Sequence, residues 1–163
     1  MNLNELFLVK LQELASAEKL LIAGLPELVE AASDAELQAA LAEHLKQTEM
    51  QADRIEDAFA SLRVESQTGT CKPMVALIAD ASNAAVMEPA GAIRDLAILG
   101  AAERVEHFEM AAYFFIISVA KTLGNGDAAN LLVENLMEEQ EAADHLRKIS
   151  RTLLEHARNE VSE

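Results

Sequence analysis

The sequence has few cysteine, proline and aromatic residues, and each shortage narrows the class of protein. Its 163 residues include a single cysteine, Cys71, so an internal disulfide framework is excluded and a reducing compartment is compatible. Three prolines and an aromatic content of 4%, in a chain dominated by Ala, Leu and Glu, favour an all-α protein. The length suits one domain with a proper core, covering residues 1–163.

Basic residues and long apolar runs are also scarce. Lys and Arg number 13 against 28 Asp and Glu, and the resulting net charge of −15 disfavours binding to the phosphates of nucleic acids. The longest apolar run, 110–120, is too short to span a bilayer, and the N-terminus lacks the regions of a signal peptide. We therefore expect a cytoplasmic protein with neither a nucleic-acid partner nor a membrane partner.

Four long segments repeat apolar residues at three- and four-residue steps, which is the period of an amphipathic helix. Ser33-Asp34 supplies an N-cap for the second segment, and Gly124-Asn125-Gly126 ends the third. Pro26 is expected to bend the first helix or to divide off its last turn. With one short helix between the second and third segments, the predicted helices cover about 4–32, 34–62, 73–85, 92–123 and 127–157.

The connections between these helices predict the topology. Short links at 32–34 and 124–127 force the long helices into two antiparallel hairpins. About 28 residues separate the hairpins, enough to cross the length of a bundle. The predicted fold is therefore a ferritin-like four-helix bundle, with a long crossover that contains the short fifth helix.

Glu106 and Glu109 interrupt the most apolar segment of the chain, 92–120. They lie one turn apart on a helical stripe, running from Leu99 to Ala120, that otherwise has the pattern of a core. An ionised carboxylate left alone in a core costs several kcal/mol, so it requires a cation, a proton or a close donor. Two such carboxylates on one stripe favour a metal ion.

Every long helix carries a similar polar interruption near its own midpoint. Reflection of each hairpin about its turn places these interruptions at similar heights along the bundle axis. We predict that Glu18, Glu106, Glu109 and Glu139 converge on one site. A layer made mostly of carboxylates selects hard or borderline ions, with iron most favoured and manganese as an alternative. The predicted metal ligands are Glu18, Gln51, Glu106, Glu109 and Glu139.

Several residues beside this layer have both a structural and a functional interpretation. His44 is favoured as a hydrogen-bonded core histidine, because it lies about two turns from Gln51. Tyr113, one turn past Glu109, is favoured as a core aromatic, with a hydrogen-bonding or radical role at a peroxide site as the alternative. The sequence leaves open whether five further residues join the site: Thr48, Glu49, Glu138, Asp144 and His145.

Short motifs from almost the whole chain, about residues 3–155, resemble one protein family. They are Ala17-Glu18-Lys19, His44-Leu45, Thr48, Cys71-Lys72-Pro73-Met74, Val105-Glu106-His107-Phe108-Glu109 with Tyr113, and Leu136-Met137-Glu138-Glu139. Together they resemble the YciE/YciF family of bacterial ferritin-like stress proteins. The resemblance implies a rubrerythrin-like bundle, a dimetal site, a homodimer and a role in stress responses, with iron sequestration or peroxide handling as its chemistry. Gln47 and Ala143 stand where relatives often have acids, which implies a weakened or single-metal site as the alternative.

Two functional classes follow. In the first, the bundle is a di-iron or iron–manganese protein with a peroxidase-, catalase- or ferroxidase-like reaction. In the second, it is a non-catalytic, dimeric structural or interaction protein whose acids are the remnant of a metal site. A homodimer is expected in either class, because the helix at 92–123 carries a second apolar line from Ala101 to Phe115 beside its inner stripe.

Overall fold

The structure is a computed structural model that describes residues 1–66, 69–87 and 89–160, without the side chains of 159 and 160. These residues form five α-helices and no β-strand. The helices are α1 (Leu3–Ala31), α2 (Ala35–Ser61), α3 (Lys72–Ala85), α4 (Ala92–Thr122) and α5 (Gly126–Glu160). Their ends differ from the predicted ends by at most three residues.

The first two helices begin at side chains that accept hydrogen bonds from their first turns. Asn2 caps α1 in a reciprocal capping box with Glu5, and Asp34 accepts from the backbone N–H groups at 36 and 37 at the start of α2. Pro26 lies inside α1, which continues to Ala31, so the expectation that it would divide off the last turn is wrong. Contacts along the rest of α1 hold the helix together at the cost of one backbone hydrogen bond.

The four long helices form the bundle that the connections predict. One antiparallel hairpin consists of α1 and α2, and the other of α4 and α5. Packing of α2 on α5 and of α1 on α4 closes the bundle, while α3 crosses over and packs on both α1 and α4. The predicted ferritin-like arrangement with a helical crossover is therefore confirmed.

A buried acid of α4 fixes the tight link between α1 and α2. Asp95 is 2% exposed, and its two oxygens accept hydrogen bonds from the backbone N–H groups of Ser33 and Asp34 at 2.7 and 2.8 Å. Backbone groups in a turn that is covered by another helix need such partners. Asp95 therefore ties the two hairpins together at one end of the bundle.

The apolar core is divided into two clusters along the bundle axis. One lies towards the α1–α2 link and includes Leu25, Leu37 and Ile149, whereas the other lies towards the α4–α5 link and includes Phe7 and Leu132. A layer of buried polar side chains lies between the clusters. None of the helices in the described part of the chain is long and apolar enough to cross a membrane.

Candidate metal centre

All four long helices contribute side chains to the polar layer. None of these residues is more than 5% exposed, so the layer is shielded from bulk water. Polar groups this deeply buried require hydrogen bonds, protons or cations, because burial removes their hydration. The layer consists of Glu18 from α1, His44, Thr48 and Gln51 from α2, Glu106 and Glu109 from α4, and Asn135 and Glu139 from α5.

Four members of the layer meet closely enough to hold a metal ion, and we call His44, Glu106, Glu109 and Glu139 the His44 group. Each offers one ligand atom, and these atoms all lie within 4.8 Å of one another. Oxygen and nitrogen ligands bind metal ions at roughly 2.0–2.6 Å, so ligands on opposite sides of an ion lie about 4–5 Å apart. The spacing of the group therefore matches the space around one ion.

Most of the ligand atoms in the His44 group have no hydrogen-bond partner among the described residues. His44 Nε2 lies 3.2 Å from Glu106 Oε1, but the contact lacks hydrogen-bond geometry and the second nitrogen, Nδ1, is also unpartnered. Both carboxylate oxygens of Glu109 and of Glu139 are unpartnered. Leaving one buried polar group unsatisfied costs about 1–3 kcal/mol, so a cluster of such groups favours the binding of a cation or of protons.

Burial controls the protonation of the acids in this layer. Loss of hydration raises the pKa of the Glu18, Glu106 and Glu109 carboxyls well above their ordinary value of 4.5. The next largest cause is repulsion from a neighbouring acid, which is Glu139 for Glu18 and Glu106, and Glu18 for Glu109. Without a cation these acids therefore keep their protons to higher pH than exposed glutamates do, and a cation that binds there competes with those protons.

Glu18 connects the His44 group to a set of hydrogen bonds that we call the Tyr113 network. Its Oε1 accepts from the hydroxyl of Tyr113, whereas its Oε2 has no partner among the described residues. Asn135 Nδ2 donates to the Tyr113 oxygen at 3.0 Å and to the backbone carbonyl of Gln51 at 3.2 Å. One oxygen of Glu18 is thus held in place, and the other remains available for a ligand.

The Tyr113 network ends at an ion pair between α2 and α5. Arg54 donates two hydrogen bonds to the Glu138 carboxylate, both at 2.7 Å, and a third to Asn135 Oδ1 at 3.0 Å. Gln51 Nε2 also donates to Glu138, at 3.1 Å, while Gln51 Oε1 has no partner among the described residues. A bidentate pair of this kind fixes both side chains. The network therefore runs from buried Glu18 to a half-buried ion pair.

The structure brings Glu106, Glu109 and Glu139 of the predicted ligands together. Glu18 is fully buried and close enough for its charge to raise the pKa of Glu109, but it stands outside the 4.8 Å group. Gln51 is also buried, on the side of the Tyr113 network. Thr48 lies in the layer but donates to its own helix, at the carbonyl of residue 44. Glu49, Asp144 and His145 are exposed.

Sequence reasoning misjudged His44 and missed Asn135 and Arg54. His44 is buried as expected, but its ring has no hydrogen bond to any described residue and lies with the acids of α4 and α5. The layer is thick, since His44 and Gln51 are seven residues, or about 10 Å, apart along α2 and still belong to it. Asn135 lies one turn before Glu139 and Arg54 follows Gln51 by three residues, so helical spacing from the predicted ligands was the available signal.

Comparisons with known proteins agree with this fold. A family model described as a domain of unknown function, DUF892, matches residues 2–158. Protein YciF of Escherichia coli (strain K12) is 34% identical over 143 residues, covering 87% of this chain and 86% of YciF. The crystal structure of the E. coli stress protein YciF matches with a TM-score of 0.92 and 31% identity, covering 95% of this chain and 98% of that chain. The resemblance found in the sequence motifs is thereby confirmed.

Two further solved structures share the architecture. YcfI of Rhodopseudomonas palustris, for which a structural role has been suggested, matches with a TM-score of 0.86 and 30% identity over 90% of this chain and 94% of that chain. A protein from Xanthomonas campestris pv. campestris has a TM-score of 0.78 at 16% identity, covering 99% of this chain and 100% of that chain, and shows the fold alone. With a family match across residues 2–158 and a relative at 34% identity, the chain belongs to the DUF892 family, as a relative of the stress protein YciF.

Proposed function

We propose that this chain is a ferritin-like stress-response protein that binds iron or manganese in a carboxylate-rich dimetal centre. The observation that carries the proposal is the His44 group, in which four potential ligand atoms from three helices lie within 4.8 Å of one another. Five of its six carboxylate oxygens are buried without hydrogen-bond partners among the described residues. A divalent cation would supply the charge and the bonds that these oxygens lack.

Charge balance supports two ions rather than one. The four buried glutamates Glu18, Glu106, Glu109 and Glu139 carry four negative charges when ionised, which two divalent cations neutralise. One ion would be held by the His44 group. For the second, the unpartnered Glu18 Oε2 and Gln51 Oε1 would join carboxylates shared with the first ion. The predicted ligands therefore all take part, together with His44.

The ligand types favour iron or manganese over other metals. Carboxylates with a single imidazole are hard to borderline ligands, and the described part of the layer contains no thiolate that would select zinc or copper. Iron bound there would supply redox chemistry towards oxygen or peroxide, which is the ferroxidase- or peroxidase-like activity that we propose. The apolar clusters above and below would exclude bulk water, and Tyr113 would keep Glu18 oriented.

Metal stoichiometry tests the proposal directly. Chelator-treated protein is titrated with Fe²⁺ without oxygen, and separately with Mn²⁺, and bound metal is measured after gel filtration. We expect two ions per chain, and a melting temperature raised by about 5–10 °C when free metal is about 100 times its dissociation constant. A melting temperature that is indifferent to iron, manganese and chelator would contradict the proposal.

The second functional class, a non-catalytic structural bundle, is favoured by one observation. Burial raises the pKa of three of the acids, so the metal-free layer can be neutralised by protons alone. In that case Glu106 and Glu139 would share a hydrogen bond, and the acids would be the remnant of a metal site. The same titration distinguishes the classes, because a remnant would bind no metal.

We also propose a homodimer that uses the C-terminal half of α4. The first part of its second apolar line, Ala101 and Val105, is buried in the same cluster as Met74 of the crossover helix. Further along, Phe114 and Phe115 remain 52% and 47% exposed. Aromatic side chains exposed side by side are typical of an interface, and a self-complementary face favours a twofold dimer.

Sedimentation at micromolar concentration tests the dimer. We expect Phe115→Asp to convert the dimer to a monomer, because the new charge would have to be buried without a partner. Ile93→Asp is the matched control, since Ile93 is 55% exposed near the other end of the same helix. Sedimentation of the unmodified chain as a monomer would contradict the proposed dimer.

A further inference from the structure

A cleft between α2 and α5 leads from the surface to the His44 group. Its volume is about 170 Å³, which is room for several water molecules at about 30 Å³ each. His44 and Glu106 form part of its lining, so the cleft reaches two of the four potential metal ligands. It is therefore a connection between solvent and a layer that is otherwise buried.

The composition of the cleft suits the passage of a cation. Glu43 from α2 and Glu141 from α5 line it and are exposed, so two carboxylates lie at its mouth, that of Glu43 paired with the exposed Lys46 at 3.4 Å. At its inner end His44 is only 5% exposed, and neither of its ring nitrogens has a hydrogen-bond partner among the described residues. Acids at an opening attract cations from solution, and a neutral imidazole can receive one.

Small side chains keep the cleft open, while neighbouring parts of the surface are closed. Ala40 and Ala142 line it from opposite helices. About three turns beyond His44 along α2, the Arg54–Glu138 ion pair bridges the same two helices. The groove between α1 and α2, lined by Ala52 and other residues, contains no member of the polar layer in its lining.

We propose that this α2–α5 cleft is the route by which a divalent cation enters and leaves the centre. Glu43 and Glu141 bind the hydrated ion transiently at the mouth, and His44 is the first buried ligand that it meets. The inference rests on the proposed metal centre, and adds the direction of access and the residues that control its rate. Blocking the cleft should change the rates of metal binding and release without changing the equilibrium.

The experiment measures these rates with Co²⁺ as a spectroscopic probe. Co²⁺ uptake by the metal-free protein is followed in a stopped-flow instrument by its ligand-field absorption, and release is followed after adding excess chelator. The chain has one tyrosine and no tryptophan, so emission from Tyr113, which is bonded to Glu18, gives a second readout from the centre itself. Circular dichroism establishes that each variant is folded.

Ala142→Leu fills the cleft, and Ala52→Leu is its matched control, because both alanines are half-buried and Ala52 lines the other groove. We expect Ala142→Leu to slow uptake and release by about tenfold each, corresponding to about 1.4 kcal/mol of added barrier, with Kd unchanged. Ala52→Leu should leave both rates unaltered. Unchanged rates in Ala142→Leu, or a changed Kd with an unchanged uptake rate, would overturn the proposed route.

Glu141→Gln is a second test that does not depend on tolerating a larger side chain in the cleft. We expect slower Co²⁺ uptake and a weaker dependence of the uptake rate on salt, because one carboxylate at the mouth is lost. Glu49→Gln, at an exposed acid of the α1–α2 groove, is its control. Equal uptake rates in the two variants would overturn the role of the mouth. Absence of Co²⁺ binding to the unmodified chain would overturn the metal centre, and the route with it.

Discussion

The two sides of the polar layer differ in how their polar atoms are satisfied, although Asn135 and Gln51 on one side are as deeply buried as the His44 group on the other. In the Tyr113 network, Asn135 uses both ends of its amide, and Arg54 holds Glu138 with two bonds of 2.7 Å. In the His44 group, by contrast, both oxygens of Glu109 and of Glu139 lack partners among the described residues. The Tyr113 network therefore satisfies most of its polar atoms, with only Gln51 Oε1 and Glu18 Oε2 unpartnered among the described residues, whereas most ligand atoms of the His44 group have no partner there.

Within one layer, polar groups that hold the helices together are therefore distinct from polar groups that are available to a ligand. A network whose polar atoms are mostly bonded to one another offsets most of the desolvation of its own groups. An incomplete group keeps its ligand atoms available at a cost to the metal-free fold, and regains that cost when a ligand binds. Glu18 belongs to both sides, with one oxygen bonded to Tyr113 and one without a partner among the described residues.

The largest expected effect on stability comes from breaking the Tyr113 network. Asn135→Ala removes the hydrogen bonds to Tyr113, to Arg54 and to the backbone of Gln51, and leaves a small cavity. We expect the free energy of unfolding of the metal-free protein to fall by about 3 kcal/mol, measured by urea denaturation.

Asn130→Ala is the control, because Asn130 is exposed on the same helix and should change stability by less than about 0.5 kcal/mol. An Asn135→Ala protein as stable as the unmodified chain would mean that the Tyr113 network is not what satisfies its side of the layer.

Removing an acid from the His44 group should have a different consequence. We expect Glu106→Ala to abolish stabilisation by metal, which is about 2.7 kcal/mol at about 100 times the dissociation constant, while the metal-free fold is roughly preserved. The metal-free variant loses a buried carboxyl that has an unpartnered oxygen, so little favourable interaction is lost. Thermal unfolding with and without Mn²⁺ measures both effects.

Glu103→Ala, one turn earlier on α4 and outside the polar layer, is the matched control and should retain the metal-dependent shift. Retention of that shift by Glu106→Ala would place the bound metal somewhere else.

The pH dependence of stability should also differ with and without metal. Because burial raises the pKa of Glu18, Glu106 and Glu109 above 4.5, the native metal-free state holds protons that the unfolded chain has released. Their contribution is complete below about pH 4.5 and is lost as pH rises through the raised pKa values, by up to about 1.4 kcal/mol per pH unit for each proton. Metal displaces these protons, so metal affinity should increase as pH rises over the same range.

Urea unfolding at several pH values, with and without Mn²⁺, measures both trends. The Glu109→Gln protein has no carboxyl at position 109 to hold a proton in the native state. Exposed acids contribute equally to the pH dependence of both proteins, so the difference between them reports on Glu109. An identical pH dependence in the two metal-free proteins would show that Glu109 is ionised in the native state.

The smallest expected effect concerns Thr48, which lies in the layer but is satisfied within its own helix. Its hydroxyl donates to the backbone carbonyl of residue 44 at 2.8 Å. We expect Thr48→Val to change stability by no more than about 1 kcal/mol and to leave Mn²⁺ affinity unaltered. Isothermal titration provides the affinity, and a tenfold weaker binding would assign Thr48 to the His44 group.

The fold could be predicted because each of its determinants is local in the sequence. The apolar period marks the four long helices, Asp34 caps α2 as expected, and short links require hairpins. The role of Asp95 could not be predicted, since it caps a link about 60 residues earlier in the chain through tertiary packing. The continuity of α1 through Pro26 likewise depends on contacts that override a local preference.

The site was only partly predictable for a similar reason. Buried acids on an apolar stripe are visible in the sequence, and the structure does bury Glu18, Glu106, Glu109 and Glu139. Which atoms meet depends on the relative heights of the helices and on side-chain reach, neither of which is encoded in one helix. The sequence pattern consequently predicts a hydrogen-bonded core residue at His44, whereas its ring lies beside the acids and has no hydrogen bond to the part of the chain that the structure describes.

We propose above all that the His44 group, whose ligand atoms mostly lack partners among the described residues, belongs to a metal centre. Crystals of the metal-free protein soaked in Mn²⁺, with diffraction data collected to use the anomalous signal of manganese, test it most directly. We expect anomalous density in the polar layer at coordination distance from His44 Nε2 and from the carboxylates of Glu106, Glu109 and Glu139. Anomalous density confined to exposed acids such as Glu141, with none inside the bundle, would contradict the account.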